Sequence, residues 1–207
     1  MTMTLPVSLP TAAYPPQSEH TELINQLVGV YSTVIDKQSG FYVSCPMTSG
    51  RKYLDEVYAN DPPNSRLSEE KRKAIFNKNC HQARSVVAMT RLHFPTAHVI
   101  DPTAFYMPGW ESSDYLAFWR EVLIKHVTVI RFVDDWQFSN GCAYEFAVGV
   151  ITGKYLTDER ERVITPVEGH NMIKAAADYY DVVGSDSTFL RHVINSLERF
   201  FQEEDAA

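Results

Sequence analysis

The sequence predicts an α/β protein built as a single-domain parallel sheet with helices on both faces. Three observations lead there. Short apolar runs alternate with longer segments of helical periodicity, which implies parallel strands joined by right-handed crossovers. The stretch Val127 to Val133 is almost unbroken in its apolar character apart from Thr128 and Arg131, as expected of a central strand covered on both faces. No internal repeat and no second domain boundary interrupts this alternation.

Taken in order, residues 1 to about 20 contain Pro6, Pro10, Pro15 and Pro16 and show no periodicity; they read as a loose arm, with the domain proper at 21–207 and its core at about 40–167. From Thr21 to Lys37, Leu23, Ile24, Leu27, Val28, Tyr31 and Val34 fall at helical spacing. Gly40 breaks the pattern, and Phe41 to Ser44 fits a buried first strand. Cys45 to Arg66 is rich in Pro, Ser, Gly and Asn and reads as one long loop, a length that in compact domains tends to go with function. Ser68 opens a helix running to about Leu92, with Ala74, Ile75, Ala83, Val86, Val87 and Met89 as expected core positions, and Pro95 stops it. Thr96 to Ile100 is a second strand. A helix follows from about Ser113 to Lys125, then the strand at Val127 to Val133, a loop from Asp134, and a helix over Asn140 to Gly153. Arg162 to Pro166 is expected to be a further strand. Two helical stretches, about Gly169 to Tyr179 and Asp186 to Glu203, form a C-terminal extension.

Composition sets limits on function. The chain has 207 residues, 44% of them hydrophobic and 22% charged, enough for a full core. Its net charge of −7 argues against a protein that wraps a nucleic acid polymer, yet leaves room for a small anion at a helix N-terminus. Cys45, Cys80 and Cys142 are too few and too widely spaced for a disulfide framework or a zinc site. No apolar run is long enough to span a bilayer, and the N-terminus lacks a signal-peptide pattern, so a cytoplasmic location without membrane association is expected. His81, His93 and His98 lack metal-ligand spacing, and neither a GxGxxG motif nor a Walker A loop is present; no metal and no cofactor are expected.

In open parallel sheets, ligands sit beyond the carboxyl ends of the strands. That rule gathers Tyr42 to Arg51, Asp101 to Trp110 and Asp134 to Glu145 into one crevice. The third segment is the most informative. A buried strand ends in Asp134 and Asp135, Ser139 is suited to N-cap the next helix, and Glu145 lies about one and a half turns in. Ala143, Phe146, Ala147, Val150 and Ile151 form the face packing on the sheet, with Glu145 at its border, partly buried and aimed into the crevice. An acid near a helix start also occurs for the macrodipole alone, and Ser139 as an ordinary cap. The first segment, with Ser49, Gly50 and Arg51, is a small-residue turn whose backbone N–H groups can approach an anion, although such turns are common. Cys142 reads as a small buried residue.

The two stretches FYVSCPMTSGR and SNGCAYEFAVG resemble the nucleoside 2-deoxyribosyltransferase superfamily over about residues 40 to 155. Members have an aromatic-containing first strand, a small-residue loop, and a small-x-Gly-x-x-x-Glu signature opening a later helix. That signature here is Ser139-x-Gly141-x-x-x-Glu145. The resemblance implies a flavodoxin-like or Rossmann-like fold, Glu145 as nucleophile, and a homo-oligomer of two or more subunits. Within the superfamily, transferases place an acid where Ser139 stands. The 2'-deoxynucleoside 5'-monophosphate N-hydrolases place a phosphate-contacting serine there and an arginine where Arg51 stands, so the chain is more similar to them. Two departures are Pro46 and Met47 in a loop that is richer in glycine among the hydrolases. A further departure concerns a family aspartate that positions the sugar, about two dozen residues before the nucleophile: that region here holds Glu121, with Asp114 one helix face earlier, and the spacing does not choose between them.

The implied activity is cleavage of the N-glycosidic bond of a nucleoside 5'-monophosphate to free base and sugar phosphate. The alternatives are base exchange by a deoxyribosyltransferase and a non-catalytic nucleotide-binding module. In this chemistry a carboxylate traps or stabilises an oxocarbenium-like sugar. Glu145 takes that role and Tyr42 orients it. Asp134 or Asp135 contacts the sugar or assists the departing base. Ser139, Asn140, Gly141 and Arg51 meet the phosphate, and Trp110, Phe105, Tyr106 and Trp136 are candidates for a base-stacking wall.

Overall fold

The computed structural model describes residues 20–35, 40–58 and 68–206. Four parallel strands, β1 (Gly40–Ser44), β2 (His98–Ile100), β3 (Val129–Phe132) and β4 (Tyr155–Asp158), lie in the order β2-β1-β3-β4. The helices are α1 (Thr21–Val34), α2 (Arg51–Tyr58), α3 (Glu69–His93), α4 (Ser112–His126), α5 (Asn140–Ile151), α6 (Pro166–Val182) and α7 (Thr188–Asp205). This is the α/β architecture expected, a single parallel sheet with helices on both faces. The arm at residues 1–19 lies outside the described residues.

Strand periodicity sorts the core into two layers. Val43 points to one face, where with Cys45 and Val133 it meets Ala83, Val86 and Val87 of α3. Tyr42 points to the other, into the larger core formed with α1, α4 and α5 and with Ile130, Phe132 and Leu156 of the sheet. On that side α7 packs on α5, and α6 packs on α7 and on the short turn Trp136–Phe138. Because the C-terminal helices cover its outer side, α5 is buried on all sides from Cys142 to Ile151, more completely than a one-faced surface helix.

The chain leaves β1 for β2 at one edge, then crosses back to β3 on the other side of β1. The direction of winding therefore reverses between β1 and β3, the position at which an α/β sheet opens a crevice beyond its strand ends. The register Tyr42↔Ile130 and Ser44↔Phe132 puts the end of β1 beside the end of β3.

Several sequence expectations need correction. The stretch Cys45 to Arg66 is not one loop: Arg51–Tyr58 is helix α2, anchored by the buried Leu54. The fourth strand is Tyr155–Asp158 and not Arg162 to Pro166, from which only Val163 makes a single antiparallel bridge, to Thr157. β4 has an exposed first residue and an acidic last one, so a short polar-flanked run paired on one side hides its strand character. Ala74 and Met89 are exposed, because α3 contacts the sheet along a narrower stripe than assumed.

Candidate active site

Strand β1 and helix α5 bring three side chains together. Tyr42 and Ser44, two apart on a strand, face the same side of the sheet, and α5 lies across that side. The Tyr42 hydroxyl donates to Oε1 of Glu145 at 2.6 Å, and the Ser44 hydroxyl donates to Oε2 at 2.6 Å. All three are sealed from solvent, with relative exposures of 1% for Tyr42, 0% for Ser44 and 7% for Glu145. The carboxylate is thus more deeply buried than the border position expected of it.

Burial dominates the electrostatics. It pushes the Glu145 carboxyl up from an ordinary 4.5 to about 7, and the hydrogen bonds from Ser44 and Tyr42 act in the opposite sense. Burial, reinforced by the Glu145 charge and hydrogen bond, lifts the Tyr42 phenol well above its usual range, so Tyr42 remains a donor. The Cys142 thiol is pushed up to about 12 by burial and then by Glu145, with Ser139 and Ser44 hydroxyls in hydrogen-bonding reach. Cys45 is raised by burial as well. Both thiols are accordingly inert as nucleophiles near neutral pH. Two hydroxyl donors leave further lone pairs on each carboxylate oxygen.

The start of α5 forms the second part of the site. Ser139 is its N-cap and accepts from the Cys142 N–H at 3.4 Å, the geometry of an ordinary cap. Asn140 is exposed and Gly141 half-buried. Asp135 adopts a left-handed backbone with φ 65°. Burial raises its carboxyl, opposed by Lys52 and Arg51. Gly50, at φ 108°, lies against it: a Cβ there would come within 4.0 Å of the Asp135 Cβ. The Ser49 carbonyl accepts from the Asn79 side chain at 3.1 Å, as the Met47 carbonyl does at 3.2 Å, which ties the first loop to α3.

Arg51 is the first residue of α2 and not a loop residue. Its guanidinium lies 5.3 Å from the centroid of the Tyr179 ring, and Tyr179 in turn donates to Asp55. The edge of Phe138 meets the same Tyr179 ring, which sets Arg51 one aromatic ring away from the residue preceding Ser139.

Other expected residues are not gathered in. Glu121 sits some two turns down α4 from Asp114, about 10 Å along the axis at 1.5 Å per residue, and pairs with Arg120 and Lys125. Asp114 is the acid at the crevice end of α4; it is buried and accepts from the Glu111 N–H at 2.8 Å. Asp134 is exposed. Trp136 is no stacking wall: it is buried between Phe132 and Phe146. Trp110 and Phe105 pack with Tyr115 and Phe118 in one aromatic cluster, while Tyr106 projects into solvent.

Ser44 is the site residue that sequence reasoning missed. The signal was present, since Tyr42 and Ser44 share strand parity. A cavity of about 370 Å³ opens elsewhere, between α1 and the edge strand β2, lined by Tyr31, Val34, Arg91, Val99 and Ile100 among others and by none of the three clustered residues. Among the described residues, no group of His, Cys, Asp or Glu side chains is arranged to hold a metal ion, and no helix is long and apolar enough to cross a membrane. Compared with models of known protein families, with curated proteins and with solved structures, the chain matches none.

Proposed function

We propose that this protein is an N-glycosidase that hydrolyses a nucleoside 5'-monophosphate to a free base and a sugar phosphate. One observation carries the reading: a buried carboxylate, Glu145, held through both oxygens by Tyr42 and Ser44 at the winding reversal of a parallel sheet. A structural acid gains little from such a location, because burial disfavours its charge and, among the described residues, no lysine or arginine repays the cost. A catalytic carboxylate gains a fixed orientation and a low-dielectric setting in which it acts strongly on developing positive charge.

In this mechanism the C1'–N bond breaks as a Glu145 oxygen closes on C1', and the base leaves with the bonding pair and takes up a proton. Water then attacks the glycosyl ester, releasing the sugar phosphate and regenerating the carboxylate. Tyr42 holds Glu145 in line throughout. Asp114, the buried acid at the start of α4, is assigned to the sugar in preference to Glu121. The 5'-phosphate is assigned to the N-terminus of α5, where the first backbone N–H groups of the helix, at Asn140 and Gly141, join the Ser139 hydroxyl, with Arg51 at the start of α2. Three free, buried cysteines accord with a reducing, cytoplasmic setting.

The test is incubation with a panel of nucleosides and their 5'-monophosphates, with chromatographic detection of free base. Release from a monophosphate by wild type, and none by Glu145→Gln, is expected. Release only when a second base is supplied points to transfer instead, and no release from any member of the panel overturns the reading.

A further inference from the structure

Within the glycosidase reading, on which this inference rests, we propose that Ser44 is a positioning residue. Its hydroxyl, paired with that of Tyr42, fixes the plane of the Glu145 carboxylate and holds it in the anionic form that meets the sugar carbon. The geometry is specific. Oε1 is taken by Tyr42 and Oε2 by Ser44, each at 2.6 Å, so two hydroxyls from alternate residues of one strand leave the carboxylate no free rotation. These are short bonds of the charge-assisted kind.

The surroundings make Ser44 hard to replace. Tyr42 bears on Glu145 from β1, Cys45 from just beyond its end, and Cys142 from α5 itself; each adds negative charge if ionised. From α4, Trp119 lies edge-on to the Tyr42 ring, Asp114 is buried at the helix start, and Arg120 bears on Tyr144. Ile130 and Phe132 of β3, in register with Tyr42 and Ser44, add only apolar surface. Among the described residues, the hydroxyls of Ser44 and Tyr42 are what offsets the burial of this carboxylate. Ser44 is fully buried, so no bulk water stands ready to take over its bond. Cys142, near both Ser44 and the capping Ser139, also joins the carboxylate seat to the cap of α5.

The experiment compares wild type with Ser44→Ala, Ser44→Thr and Ser44→Cys. The first readout needs no substrate: the ionisation midpoint of the Glu145 side chain, followed by carbon-13 NMR of labelled glutamate and assigned with Glu145→Gln. The second is the pH profile of base release. Ser44→Ala is expected to raise the midpoint by at least about one pH unit. The acid limb of the rate profile should move up with it, kcat at neutral pH falling while KM changes little and activity recovering at higher pH. Ser44→Thr, which restores a hydroxyl, is expected to return the midpoint toward wild type. Ser44→Cys, a weaker donor of similar size, should fall between and serves if the alanine variant does not fold. An unchanged midpoint in the folded alanine or cysteine variant overturns the role of Ser44, whatever the activity. A raised midpoint with no base release by wild type leaves the role of Ser44 in holding the carboxylate standing and sinks the glycosidase reading alone.

Discussion

Tyr42 and Glu145 are 103 positions apart in the chain, yet the phenol oxygen and the carboxylate Oε1 are separated by 2.6 Å. The contact exists because β1 and β3 are neighbours and α5 folds back over the face to which Tyr42 points.

From that contact follows the most direct prediction. Glu145→Gln keeps the size of the side chain and can still accept from one hydroxyl, but loses the charge. Base release should fall by at least ~10²-fold, the lower end for a key charged group. Circular dichroism should show an intact fold. Activity within a few-fold of wild type in a folded mutant removes Glu145 from the mechanism.

The same substitution changes how stability depends on pH. Glu145 titrates near 4.5 when unfolded and at about 7 when folded, so between these values the folded state binds the extra proton. Its contribution is present in full below about pH 4.5 and is lost as pH rises through about 7. Wild type should therefore lose stability relative to Glu145→Gln across that window, by on the order of 3 kcal/mol in total, with a flat difference above it. Urea titrations of both proteins from pH 4.5 to 8.5 measure this. A wild type that gains stability relative to Glu145→Gln as pH rises through this window contradicts the raised carboxyl.

Much of this was legible in the sequence, and the failures have physical causes. Phe41 to Ser44 and Val127 to Val133 announce themselves because strands covered on both faces need apolar residues at every position. The Ser139–Glu145 segment is readable because a cap and a helix start are local features. β4 was missed because Tyr155 and Asp158 at its ends are polar or exposed, and its strand identity comes from pairing with β3, a non-local fact. Helix α2 was missed for a similar reason: its anchors are Leu54 in the distant core and the tie from Asp55 to Tyr179. Ser44 was passed over because a serine closing an apolar strand looks like an end, until parity with Tyr42 is counted. The choice between Asp114 and Glu121 could not be made from spacing, since it depends on which end of α4 faces the crevice.

Helix α6 supplies a test of packing. A Cβ at Gly169 would lie 2.0 Å from Cζ of Phe146, whose ring is fully buried and stacked on Trp136. Alanine ordinarily gains up to ~1 kcal/mol over glycine within a helix. Here the ring has nowhere to move, and overpacking at ~1–3 kcal/mol or more should prevail. Gly169→Ala is expected to lower the thermal midpoint; an unchanged or raised midpoint shows that Phe146 repacks freely.

Ser139→Asp separates the phosphate claim from the fold. Aspartate is as good an N-cap as serine, so α5 should remain formed. A negative charge at the proposed phosphate site should lower kcat/KM for a nucleoside 5'-monophosphate by about tenfold or more, and for the matched nucleoside far less. Equal losses on both substrates remove Ser139 from phosphate recognition. A wild type that prefers the unphosphorylated nucleoside favours the transferase alternative.

The Tyr42 ring, which carries the hydroxyl bound to Glu145, meets the indole of Trp119 at a centroid distance of 5.5 Å, inside a core that excludes solvent. The protein therefore carries its own optical probe. Appearance of a charge at Glu145 alters the electric field across the Trp119 indole, and tryptophan emission reports such fields as wavelength shifts. Tracked against pH in wild type and in Glu145→Gln, the emission maximum gives a label-free record of when the buried carboxyl releases its proton.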